Sequence, residues 1–123
     1  MPTRTRTRTR TATRSAPATL AELRAQLGLT RAQFGRLIGC SERALASWES
    51  EALAPNQAGE RQIVQLRRLL AAAARVMRAK DVGPWLVAPN PAFDGQKPLE
   101  VIERGEIDRL WRALFAAESG APV

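Results

Sequence analysis

The chain has 123 residues, room for one or two small domains, with 19 basic against 12 acidic side chains and a net charge of +7. It holds no His, no Tyr and one Cys, Cys40, which excludes imidazole acid–base chemistry, an internal disulfide and a Cys cluster for zinc or iron–sulfur. No nucleophile and base stand in a recognisable constellation, so the expectation is a protein that is not an enzyme and uses no metal or cofactor.

Residues 3–14 alternate Thr and Arg almost without interruption, and residues 1–17 carry five Arg and no acid. Like charges repel and nothing here can be buried, so a disordered basic tail over residues 1–17 is expected. Two readings stay open for it: an arm that touches DNA phosphates, or a solvated leader. It lacks the apolar segment of a secretory signal, and no apolar run approaches the ~18 residues of a membrane span. Cytoplasm is the expected location.

From Ala18 the apolar spacing turns helical. Leu20, Leu23 and Leu27 form one stripe, with Thr19 as N-cap and Gly28 as stop. Thr30 caps a second helix holding Phe34, Leu37 and Ile38, which Gly39 ends; Ser41 caps a third with Ala44, Leu45 and Trp48. After a Pro55–Gly59 loop, a long helix is predicted from about Glu60 to Lys80, its apolar stripe running from Ile63 to Met77. The texture changes at Gly83, and four prolines between Pro84 and Pro98 forbid a continuous helix. One turn at Pro84-Trp85-Leu86, an extended Pro89–Pro91 stretch and a turn at Asp94-Gly95 follow. Two helices close the chain, the first opened by Pro98 and the second carrying a stripe of Ile107, Leu110, Trp111, Leu114 and Phe115. The fold class is all-α. Its expected parts are the tail, a DNA-binding unit over 18–57 and a helical unit over 58–123.

Within Arg31–Glu49, Gly35 stands where crossing helices need a tiny side chain, and Gly39 where the turn needs positive φ. Phe34, Ile38, Cys40, Leu45 and Trp48 supply its core positions, so Cys40 and Trp48 are read as packing residues. Two short helices joined by a three-residue turn with Gly is a geometry that presents a recognition helix to the major groove. The stretch LRAQLGLTRAQFGRLIGCSERALASWES resembles the helix-turn-helix of Xre/lambda-repressor-like regulators. The resemblance makes Glu42–Ser50 the recognition helix and implies DNA contact at Arg31, Gln33, Ser41, Glu42, Arg43, Ala46 and Ser47. Of these, Arg43 has the reach to read guanine, a contact worth roughly 1–3 kcal/mol of discrimination.

The segment PWLVAPNPAFDGQKPLEVI is similar to the toxin-binding domain of the Xre/MbcA/ParS-like antitoxins, and with the upstream helices the likeness spans all but the tail. What it implies is a type II antitoxin: its partner a RES-type, NAD-depleting toxin, its DNA-binding part repressing the shared operon. Toxin contact is then implied at Trp85, Asn90, Phe93, Arg112, Glu118, Ser119 and Gly120, with Glu118 facing a basic pocket of the toxin. A homodimer on an inverted repeat, with half-sites ~34 Å apart, is also expected, joined through the Ile63–Met77 stripe. A regulator whose C-terminal part only dimerises or senses a signal, without a toxin, remains the alternative. Charge agrees with two partners: residues 18–80 carry +5, whereas residues 81–123 carry −3.

Overall fold

The first four helix starts are set by local hydrogen bonds. Thr19 and Thr30 each form a reciprocal capping box, Thr19 with Glu22 and Thr30 with Gln33, and the Ser41 hydroxyl accepts from the Ala44 amide. These caps open α1 (Leu20–Leu27), α2 (Arg31–Ile38) and α3 (Glu42–Glu49). The Asn56 side chain accepts from the Gly59 amide and opens α4 (Gln57–Ala73). Then come α5 (Ala79–Leu86), a 3₁₀ turn (Pro91–Phe93), α6 (Pro98–Glu103) and α7 (Ile107–Glu118). The computed structural model describes residues 19–123; the Arg-Thr stretch and its expected disorder lie outside the described residues. The fold is all-α, with no strand among the described residues.

The long helix predicted from Glu60 to Lys80 is in fact two. α4 begins at Gln57 and stops at Ala73, and amides of Arg75 and Met77 bond back to Ala72 and Ala73 as the chain turns. The chain resumes as α5, which includes Pro84 and so extends the single turn expected there to eight residues. The reason is tertiary: only after turning can Val82, Gly83 and Leu86 reach the interior.

The change of texture at Gly83 thus falls within a helix. Gly83 lies inside α5 against the end of α1, so close that a Cβ there would be driven into the Leu27 carbonyl. α1 packs on α5 and α3, and α2 packs on α3, α4 and α6. α7 closes against α4 and α6. One cluster runs through all of them, from Leu23, Phe34 and Leu45 to Leu69, Leu86, Val101 and Leu110. Each such Leu withdrawn from water contributes about 2 kcal/mol.

Two expected apolar stripes are divided by this packing. From the α4 stripe, Leu66, Leu69 and Ala73 are spent on the chain's own core, and Ile63, Leu70, Val76 and Met77 pack partly against it. That leaves little of the Ile63–Met77 stripe for a second copy. On α7, Leu110 and Leu114 are buried but Phe115 is 65% exposed, because α4 covers only one side of the helix.

Candidate functional site

The α2–α3 pair is held in shape from within. The amides of Gly39 and Cys40 both donate to the Gly35 carbonyl, at 2.7 and 2.9 Å, and Gly39 takes a φ of +83°. A side chain at position 35 would put its Cβ 2.7 Å from the Cys40 carbonyl oxygen, so only Gly lets the turn close. Cys40 is half-buried against the core, and burial pushes its thiol up from the ordinary value, as suits a packing residue. Trp48 is also half-buried, its ring against Gly59 at the start of α4.

Among the residues implied to touch DNA, Ser41, Glu42 and Arg43 are exposed together at the start of α3. Ala46 and Ser47 are half-buried further along. The partial positive charge of a helix N-terminus and the Arg43 guanidinium together favour phosphate, while Glu42 favours the helix and opposes phosphate. Gln33 is committed to the fold: its amide oxygen accepts from the Thr30 amide at 3.0 Å.

Arg31 is exposed but tethered, and its partner is a residue that sequence reasoning missed. Glu49, with only 4% of its side chain exposed, takes two hydrogen bonds from Arg24 (2.7 and 3.1 Å) and one from Arg31 (3.1 Å). Arg24 also donates to the Leu29 carbonyl. The end of α3 is thereby lashed to α1 and to the start of α2. The Arg24 hydrogen bonds, reinforced by Arg31, hold the Glu49 carboxyl below the usual carboxylate range against the opposing effect of burial. The only local sign of this role is an acid directly after Trp48, at the last position of α3.

At the other end, the proline-rich segment folds around two of the implied toxin contacts. The Asn90 side chain accepts from the Ala92 amide, and its backbone bonds to Phe93, Gly95 and Gln96. Phe93 is 1% exposed, edge-on to Trp85 at 6.4 Å and beneath the Arg109 guanidinium at 5.9 Å. Asn90 and Phe93 are thus interior residues that shape this surface from beneath. Trp85 is half-buried, and its indole N–H has no acceptor among the described residues.

Arg112, Glu118, Ser119 and Gly120 are exposed at the end of the fold, as a contact role needs. Glu118, expected to face a toxin's basic pocket, pairs with Arg75 of this chain at 2.7 Å. Beside that pair a groove of about 400 Å³ opens between α4 and α7, with Trp111 and Phe115 on one wall and Arg68 and Arg75 on the other. No group of acids and Cys among the described residues could hold a metal ion, and no described helix is long and apolar enough to cross a membrane.

No protein-family model matches the chain. Individual proteins do. The mycobacterial cidal antitoxin MbcA of Mycobacterium tuberculosis is 26% identical over 98 residues, which is 80% of this chain and 87% of that protein. A probable mycobacterial cidal antitoxin of the same species is 30% identical over 92 residues, 75% of this chain and 76% of the other. Among solved structures, a chain of the M. tuberculosis MbcT–MbcA toxin–antitoxin complex superposes with a TM-score of 0.67. It is 24% identical, with 84% of this chain and 93% of that one covered, and the likeness is one of fold. On its match to relatives along most of their length, the chain belongs to the mycobacterial cidal antitoxin family.

Proposed function

We propose that this chain is the antitoxin of a toxin–antitoxin pair, not an enzyme, and that it neutralises a partner toxin by binding it. The observation that carries this is the 30% identity to a probable cidal antitoxin across three quarters of both chains. The shared fold with a chain of the MbcT–MbcA complex supports it. The toxin contact belongs to the helical unit over 58–123, where Arg112, Ser119 and Gly120 are exposed on and beyond α7. The partner in this reading is a RES-type toxin that depletes NAD, supported by the likeness of PWLVAPNPAFDGQKPLEVI to the family's toxin-binding domain. Acting in the cytoplasm as a homodimer, the chain also represses its own operon through α2 and α3. Ser41 and Arg43 at the start of α3 are the groups best placed for DNA, and Arg31 is able to leave Glu49 for a phosphate.

One experiment tests both arms. The reading frame adjacent to this chain's own is expressed with and without it, and cell growth and NAD are followed. Growth arrest with NAD loss, both relieved by this chain, is expected; a neighbour that is harmless alone overturns the toxin arm. Binding to DNA from the shared upstream region should fall steeply with salt, and Arg43→Ala should weaken it about tenfold while leaving growth rescue intact. A chain that rescues growth yet leaves that DNA unbound overturns the repressor arm alone.

A further inference from the structure

The outward side of α4 carries Arg61 and Arg68, both exposed and seven residues apart, so that they share one face with Val64 and Ala71, and Arg75 is exposed in the turn that follows the helix. Glu118 holds Arg75 at the lip of the groove. From α7, Phe115 stands 65% exposed, and its ring lies 6.3 Å from that of half-buried Trp111. Ala71, Ala72 and Leu114 add apolar surface between these walls. A single exposed Phe is ordinary, but paired aromatics over an alanine floor beside arginines have the composition of an interface centre.

Charge decides what fits there. A second copy applied face to face would set Arg61 and Arg68 of α4 against the same two arginines, with Glu60 the one acid in that helix and the Arg75–Glu118 pair closed on itself. The N-terminal stretch of this chain, five Arg and no acid, has the same sign. A phosphate backbone would suit the arginines and leave the aromatic wall and alanine floor unused. The remaining fit is a protein segment with an apolar anchor flanked by carboxylates. We propose that the groove between α4 and α7 receives such a segment of the partner toxin, its apolar side chain against Phe115 and Trp111 and its acids on Arg68 and on Arg75, which exchanges Glu118 for the partner's carboxylate. This rests on the antitoxin reading and assigns that partner a docking site built from residues outside the proline-rich segment.

The test uses the full chain and the purified product of the adjacent reading frame, with affinities measured by calorimetry for wild type, Phe115→Ser and Arg68→Glu. Both positions are exposed, so thermal melts should match wild type and report that the fold is intact. Each variant should weaken toxin binding at least tenfold, and Arg68→Glu should also flatten its salt dependence. Wild-type binding with both variants within twofold of it overturns the groove proposal and leaves the antitoxin reading standing. No binding by wild type overturns the antitoxin reading, and the proposal with it. Sedimentation without toxin and DNA binding complete the set: a dimer lost in Phe115→Ser, or DNA affinity lost in Arg68→Glu, each with toxin binding unchanged, overturns the proposal in favour of that other occupant.

Discussion

The α1–α3 half and the α4–α7 half keep their shape by different means. In the first, every helix opens on a side-chain cap and closes within eight residues, and its buried acid, Glu49, gathers two arginines into one network. In the second, α5 and α7 open without a side-chain cap, and the pieces are positioned by contacts with distant helices, of which Gly83 against Leu27 is the tightest. Local encoding gives a rigid presenting unit. Long-range encoding leaves uncovered ground between elements, and the α4–α7 groove is such ground.

If the halves are one body, the largest effect should come from the contact that joins them. Gly83→Ala has nowhere to put its methyl group except the Leu27 carbonyl, and should cost about 3 kcal/mol. Urea melts followed by Trp fluorescence should shift as a single transition, with Trp48 and Trp85 regions unfolding together. Two separated transitions would show that the halves are independent.

A smaller effect tests the network of the first half. Glu49→Gln leaves Arg24 and Arg31 without their charge partner and should cost about 2 kcal/mol. Because the folded Glu49 carboxyl sits below its unfolded value, its stabilisation is complete above about pH 4.3 and is lost as pH falls through the lower folded value. The wild type should therefore lose stability on acidification more steeply than Glu49→Gln, measured by thermal melts between pH 3 and 6 on the order of half-unit steps. Parallel curves would remove Glu49 from the account.

The smallest effect concerns the surface link between the halves. Arg36 of α2 grips Glu103 of α6 with two hydrogen bonds, 2.9 and 2.8 Å, and holds that carboxyl below the usual range, but both side chains are open to water. A double-mutant cycle with Arg36→Ala and Glu103→Ala should find a coupling of about 0.5 kcal/mol that salt weakens. A coupling several times larger would mean that this pair, and not Gly83, aligns the halves.

How much of this was legible in the sequence follows the same division. Thr19, Thr30 and Ser41 announce their helices because a cap and its amide lie within three residues of one another. The end of α4 gives no such sign: Ala71 to Met77 contains no Gly or Pro and continues the apolar period, and the turn is imposed by what Val82 and Leu86 must reach. Phe115 reads as core for a related reason, since periodicity identifies an apolar stripe without saying how much of it a neighbour covers. For the candidate sites, exposure at Ser41, Arg43 and Arg112 agrees with the readings made from motifs. Asn90 and Phe93 are buried, which the motif does not indicate, because a motif residue that shapes a loop and one that touches a partner look alike in one dimension. The Arg75–Glu118 and Arg24–Glu49 pairs join residues far apart in the chain, and no local pattern marks them.

The packing of Gly83 on Leu27 also bears on how such proteins can diversify. A genome that rewires partnerships by recombination needs cut points where either side can be replaced without disturbing the other. Here the first helix of the presenting unit is seated on a helix sixty residues later, so a crossover between them would join surfaces that were never fitted. Variation in this lineage should arise by substitution on exposed positions such as Arg43, Arg68 and Phe115, with residues 19–123 inherited as one block.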